Sequence, residues 1–332
     1  MKAYRCRVDD SPLYFENSVC VSCGSDLAFS RTEVDIVPIV AGRYTDADGA
    51  TWHICRNLGL SGCTWLAATP GGQCVSCDLT RTRPNDADAR GMRSFQIAER
   101  AKRRLIVDLD RLGFEIESRR TNPTTGLCFD LLSDTHEDVV TGHDQGVITI
   151  NLAEGDDAYR ERVRVRLDEP YRTMLGHFRH EIGHYIQWRL VEAAGGSILD
   201  RARALFGDER ADYEEAVNRH YADGAPAGWP GSFISAYATM HPYEDFAETW
   251  AHYLHICDTI ETSTAYGLAE PVALEDVVAF RDVVTRVWIP LSIALNMVNR
   301  SMGKDDLYPF VIPAPVLDKL DFVASLRPGA GQ

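Results

Sequence analysis

Gly176-His-Phe-Arg-His-Glu-Ile-Gly-His184 holds two histidines four residues apart, with a glutamate directly after the first. Four residues are close to one helical turn, so on a helix His180 and His184 leave the same face, one above the other. Two imidazoles placed in this way offer two of the three protein ligands of an open tetrahedral Zn²⁺ site. Glu181 then lies beside the remaining coordination position, where a carboxylate can take a proton from a zinc-activated water and return it to a leaving amine. Gly183 strips one position of that helix bare, so a neighbour can pack closely. The helical pattern runs from Pro170, suited to a first turn because its missing N–H has no partner there, to about Ala194, and Gly195-Gly196 ends it. The competing reading is a pair of ordinary histidines on a packed helix.

The third ligand decides the subclass. A second pattern with Gly and His three and six residues past His184 is excluded, because Gln187 and Leu190 stand there. Pro242-Tyr-Glu-Asp-Phe-Ala-Glu-Thr-Trp250 offers a glutamate from a later helix, and offers it twice. Glu244 and Glu248 share a face, so one carboxylate can bind the metal while the other holds the free N–H of a ligand histidine. Acidic residues also favour a helix N-terminus on dipole grounds, which accounts for the first glutamate more readily than for the second.

Glu244-Asp-Phe-Ala-Glu248 resembles the Glu-Phe-Phe-Ala-Glu segment of gluzincins of the anthrax lethal factor type. The longer strings Gly176–His184 and Tyr243-Glu-Asp-Phe-Ala-Glu-Thr-Trp-Ala-His-Tyr-Leu254 are similar to those of a bacterial family of zinc-binding metallopeptidases with an N-terminal zinc ribbon, over nearly the whole chain. The resemblance implies His180, His184 and Glu244 as ligands, Glu181 as base, and Tyr237, seven residues before Glu244, as a donor to the oxyanion; the supporting place in the glutamate pair then falls to Glu248. A half-buried aromatic beside a glycine-rich loop is the plainer reading of Tyr237.

Seven of the nine cysteines lie between Cys6 and Cys77, and Cys20-x-x-Cys23 and Cys74-x-x-Cys77 are tight pairs. Clustering of this kind reads as metal ligation, with redox-active thiols as the rival. Cys55, Cys63, Cys74 and Cys77 make one full set in chain order, whereas Cys6, Cys20 and Cys23 leave a set one ligand short, and a cross-braced pairing stays open. The resembling family opens with C-x-x-C, and this chain has Asp9 where the second cysteine would stand. Either Asp9 completes the site, or a histidine such as His53 does, or the site is weak. The expected metal load is one catalytic and one or two structural zinc ions.

The 332 residues suggest two domains, and 45% hydrophobic residues suffice for a sizeable core. With 34 basic against 49 acidic residues the net charge is −15, which disfavours nucleic acid and anionic membranes as partners. Residues 1–85 carry eight Lys/Arg against nine Asp/Glu, so the cysteine-rich part has no cationic footprint either. No apolar run approaches a membrane helix and the start has no secretory h-region, so the cytoplasm is the expected compartment.

Polar Thr80–Ala89 reads as a linker. Beyond it come a helix over Ala89–Leu112, a strand at Leu127–Leu132 and another at Gly146–Leu152, the latter a candidate sheet edge for an extended peptide or an ordinary core strand. Further helices are expected over Ile198–Tyr221 with an interruption at Gly207, over Pro242–Thr262, and over Leu274–Met302 with a kink at Pro290. The expected fold class is α+β: a zinc-ribbon domain (1–85) followed by a mainly helical zincin-like, gluzincin-type metallopeptidase domain (86–332) with a small sheet. The expected substrate is a peptide or protein, and the oligomeric state is open. The rivals are a non-catalytic zinc-binding interaction protein, which would not need Glu181, and a zinc amidase or isopeptidase acting on a peptide tag.

Overall fold

Short runs of alternating residues broken by turn formers shape the first part of the chain. The computed structural model describes residues 2–135, 138–155, 173–272 and 279–329. It falls into two compact units, the first comprising Met1–Arg111, Glu115–Gly142 and Gly146–Asp156, the second Leu112–Phe114, His143–Gln145 and Asp157–Gln332.

Unit 1 begins with small antiparallel ladders: β1 (Tyr4–Arg5) with β2 (Pro12–Leu13), β3 (Leu27–Ser30) with β4 (Asp35–Pro38), and β5 (Arg43–Thr45) with β6 (Thr51–Ile54) and β7 (Leu66–Ala67). Their apolar core is slight. Ala28, Val37 and Leu66 form one buried cluster, and the rings of Tyr4, Phe15, Phe29 and Trp65 pack together, Phe15 and Phe29 edge to face at 4.9 Å. Cysteine clusters supplement cores of this size. Two short helices, α1 (Leu58–Ser61) and α2 (Val75–Asp78), seat Cys63 and Cys74–Cys77, with Cys74 at the N-cap of α2.

The supposed linker is partly a strand. Thr80–Thr82 (β8) pairs in parallel with β9 (Cys128–Leu132), and Arg81 donates from Nε to Asp130 at 2.9 Å. Two β-branched threonines flanking a paired arginine suit a sheet edge, whatever their polarity suggests. The sheet order is β10 (Gly142–Asp144), β11 (Val147–Asn151), β9, β8. β11 is therefore internal, flanked on both sides, which corrects its candidacy as the edge for a peptide; Ile148 and Ile150 are fully buried. Helix α3 (Ala89–Arg111) forms as its periodicity predicts and buries Phe95, Ala98, Leu105 and Leu109.

In unit 2, α4 (Met174–Ile186) is capped by Thr173, whose side chain accepts from Gly176 N at 3.0 Å; Pro170 lies outside the described residues. The helix continues as a wider π-turn over Gln187–Glu192. Gly207, at φ +100°, takes a conformation closed to L side chains and separates α5 (Gly196–Phe206) from α6 (Tyr213–Asp223), so the expected interruption is a full break. α7 (Pro242–Ala265) is the central helix, with Trp250, Phe246 and Leu254 wholly buried. The stretch 273–278 is outside the described residues. From Phe280 the chain forms α8 (Phe280–Val283), a π-turn (Val284–Trp288) and α9 (Ile289–Ser301). The π-turn ends just before Pro290, which sits in the first turn of α9, where its missing N–H leaves no gap. A last helix, α10 (Ala314–Ser325), did not show in the sequence reading. Its Lys319 reaches Asp245 of α7 at 2.6 Å, with both side chains buried.

Among the described residues no helix is long and apolar enough to cross a membrane.

The crossing of α4 and α7 is set at one point. A Cβ built on Gly183 would lie 3.0 Å from Ala247 Cα and 3.2 Å from Trp250 Cβ. Backbone and a buried indole cannot step aside cheaply, so Gly183→Ala should push the helices apart and destabilise unit 2 by about 1–3 kcal/mol. Denaturant unfolding should register that loss, together with weaker zinc retention at the site that the two helices share.

Candidate active site and cysteine clusters

His180 and His184 project from α4, one turn apart, toward Glu244 at the first turn of α7. His180 Nε2 lies 3.2 Å from His184 Nε2 and 3.0 Å from Glu244 Oε2, and His184 Nε2 lies 3.6 Å from that same oxygen. A tetrahedral zinc with bonds of about 2.0–2.1 Å has ligand–ligand edges of about 3.3–3.4 Å, so the three donor atoms stand at the spacing of one face of such a site. Two imidazole nitrogens and a carboxylate are also the donor types zinc takes. The residues fit the ion.

The electrostatics agree. Burial works against charge on His180, but the hydrogen bonds to Glu244 and Glu248 outweigh it and lift its pKa well above the imidazole range. Burial likewise opposes charge on Glu244, yet the two imidazoles hold it well below the carboxylate range. An anionic pocket that holds a proton this firmly suits a divalent cation better still.

Behind these atoms stands a ring of supports. Glu248 Oε1 accepts from His180 Nδ1 at 2.8 Å, which leaves Nε2 to face the cluster. Ser235 Oγ donates to Glu248 Oε2 at 2.7 Å. Tyr213 Oη, at the start of α6, donates to Glu244 Oε1 at 2.9 Å and so turns Oε2 inward. Tyr213 and Ser235 escaped the sequence reading because no spacing ties them to α4 or α7. Arg179 anchors α4 from its other side, reaching Asp258 at 2.6 Å and His255 Nδ1 at 2.6 Å.

Glu181 is buried beside the cluster, and its Oε2 has no hydrogen-bond partner. Burial raises its pKa, against the pull of His184 and His180. The Tyr237 ring lies 5.8 Å from that of His180, on a 3₁₀ turn over Tyr237–Thr239. Burial first, and then the negative charge of Glu244, push its pKa up, so its hydroxyl remains a proton donor.

The other histidines have structural places. His241 caps α7, accepting from Tyr243 N at 3.1 Å. His252 contacts Tyr308 Oη at 2.7 Å, and His143 packs on Tyr185 and Trp188. His177 is half-buried, within electrostatic reach of Glu181.

In unit 1 the cysteines group in chain order. Cys55, Cys63, Cys74 and Cys77, all buried, bring their sulfurs within 4.8 Å of one another, as do the ligand atoms of Cys6, Asp9, Cys20 and Cys23. The Cys63–Cys74 and Cys6–Cys23 sulfur distances, 3.6 and 3.7 Å, match the edge of about 3.8 Å in a zinc thiolate tetrahedron and lie far beyond a disulfide bond. Asp9 occupies the fourth corner of the second group, its Oδ1 3.7 Å from Cys20 Sγ. Hydrogen bonds from Ser22 and Ser11 hold Asp9 ionised by pulling its pKa far down. His53 instead lies in the β6 ladder opposite Arg43 and Ala67.

Two family models match the chain. The first, described as "putative zinc-binding metallo-peptidase", spans residues 91–326, and the second, a zinc-ribbon domain, spans residues 3–88. Uncharacterized proteins of Mycobacterium bovis and of two Mycobacterium tuberculosis strains are each 51% identical over 330 residues, covering 97% of this chain and 94% of theirs. No solved structure matches.

The geometry separates the two glutamates. Glu244→Ala should empty the His180/His184 site while the cysteine clusters keep their zinc, whereas Glu248→Ala should weaken zinc binding there by about 10–100-fold. Metal analysis of the two variants after mild chelation distinguishes them, and the reverse pattern would reverse the assignment. Untreated wild-type protein should carry three zinc ions; two would mean that Asp9 does not complete its cluster.

Proposed function

The chain belongs to this family of zinc-binding metallo-peptidases, and on that premise we propose that it hydrolyses peptide bonds at the His180, His184 and Glu244 cluster, as a gluzincin with a zincin-like catalytic unit. One observation carries the reading. Three convergent donor atoms sit beside a buried glutamate, Glu181, whose Oε2 has no hydrogen-bond partner. A site serving only as a scaffold would gain nothing from that carboxylate, since burying it unpaired costs free energy.

His180, His184 and Glu244 would hold the zinc, with Glu248 and Tyr213 fixing the orientation of the ligands. Bound there, zinc supplies Lewis acidity, which polarises a carbonyl and brings the pKa of a water near 7. Glu181 takes the proton of the attacking water, favoured by a pKa that burial raises, and passes it to the leaving amine. Tyr237 donates its O–H to the carbonyl oxygen as negative charge develops, in a setting where burial strengthens that bond. The cysteine-rich unit would hold one or two structural zinc ions, with Asp9 as the fourth ligand beside Cys6, Cys20 and Cys23. Thiols kept free for metal suit a cytoplasmic location. The substrate is a peptide or protein.

Glu181→Gln keeps the volume and removes the base. The variant should fold and keep its full zinc content, while turnover of a peptide found by library digestion falls by roughly 10²–10⁴-fold. Tyr237→Phe should lower turnover by about 10²–10³-fold with little change in binding. Equal cleavage by wild type and Glu181→Gln would end the peptidase reading.

A further inference from the structure

Ser235 stands between the two halves of the site, and neither the ligand set nor the base accounts for it. It is buried, two residues before Tyr237, in a segment that belongs to neither α4 nor α7. Its hydroxyl is used twice. As donor it holds Glu248 Oε2 at 2.7 Å, and as acceptor it takes the Ala238 amide at 3.1 Å. The first bond completes a relay from Ser235 through Glu248 to His180 Nδ1, whose ring faces the metal cluster with Nε2. The second resembles a helix N-cap, with a hydroxyl closing the turn three residues ahead. That turn, tightened by Met240 N to Tyr237 O at 3.0 Å, is the one that carries Tyr237.

We propose that Ser235 is a positioning residue that ties the oxyanion donor Tyr237 to the zinc ligand His180, by bonding Glu248 on one side and the Tyr237 turn on the other. This rests on the zinc-peptidase reading of the site. The physical need is plain. A donor contributes to the transition state only when it lies within a fraction of an ångström of the developing charge. The Tyr237 turn is short, and among the described residues its backbone hydrogen bonds close within the turn itself, Thr239 N to Ala236 O and Met240 N to Tyr237 O, and none runs to α4. One hydroxyl shared between that turn and Glu248 sets the turn against the carboxylate that also orients His180. An alanine there would free both partners at once, leaving Glu248 with one bond fewer and the Ala238 amide unpaired. A threonine would keep the donor and the acceptor.

Zinc binding tests the first arm without any substrate. Competition with a chromophoric chelator, the ribbon zinc serving as internal control for folding, should show Ser235→Ala binding catalytic zinc about 10-fold more weakly, and Ser235→Thr close to wild type. The double variant Ser235→Ala/Glu248→Ala should be no weaker than Glu248→Ala alone, because Ser235 acts through that carboxylate. Unchanged affinity in Ser235→Ala, or full additivity in the double variant, overturns the proposal. The second arm is read at saturating zinc. There Ser235→Ala should lower kcat about 10–100-fold with KM nearly unchanged, and in a Tyr237→Phe background it should cost little further. A kcat equal to wild type, or a full second loss beside Tyr237→Phe, overturns that arm. Failure of the underlying reading looks different: wild type would then hold zinc only in the ribbon, or Glu181→Gln would cleave as well as wild type.

Discussion

The contact between Gly183 and Ala247 is the constraint on which the candidate site depends. His180 and His184 can share a metal with Glu244 only if α4 and α7 approach almost backbone to backbone, and a bare glycine opposite an alanine permits that. The approach is held from several sides. Buried Arg179 bridges α4 to Asp258 and His255 of α7, and Trp250 packs beside Gly183. Lys319 of the last helix bonds Asp245, the residue next to Glu244. A buried ion pair of this kind adds little net stability, but losing either partner strands a charge, so it specifies where the helices meet.

Within that frame, charge persists against desolvation because carboxylates and imidazoles are paired. Two carboxylates and two imidazoles are packed where water is scarce, and each carboxylate has its second oxygen committed elsewhere: Glu244 to Tyr213, Glu248 to Ser235. Buried polar groups that are almost fully satisfied are rigid, and rigidity is what a metal site needs of its surroundings. Glu181 is the exception. Among the described residues its Oε2 is a buried carboxylate oxygen beside the two histidines with no hydrogen-bond partner, whereas Glu244 and Glu248 have theirs.

Unit 1 solves a different problem. Its ladders are two to four residues long and its apolar cluster is small, so metal held by the two groups of converging cysteine and aspartate side chains would supply cross-links that side-chain packing cannot. Helix α3 contributes to the same purpose. Glu99, wholly buried, lies 3.9 Å from Cys77 Sγ and is paired with Lys102 at 2.6 Å, so the thiolate cluster sits against a compensated charge pair instead of open solvent.

Local pattern was enough to read α3, α4, α7 and the β9 and β11 strands, along with the His180–Glu181–His184 face and the two tight C-x-x-C pairs, because each depends on residues within a few positions of one another. A one-turn repeat also paired Glu244 with Glu248. Other features were decided by contacts distant in sequence. Thr80–Thr82 looked like linker because its partner strand lies almost fifty residues on, and the choice between edge and core strand for β11 is settled only by its place between β10 and β9. Helix α10 went unread, although Lys319 on it joins Asp245 across 74 positions. Tyr213 and Ser235 belong to the same class: 31 and 13 residues separate them from the carboxylates they hold, and no periodicity spans those gaps. Sequence by itself determined which residue types could bind a metal. Only the tertiary structure decided which oxygen of each glutamate turns inward, because that orientation is set by hydroxyl groups arriving from separate segments of the chain.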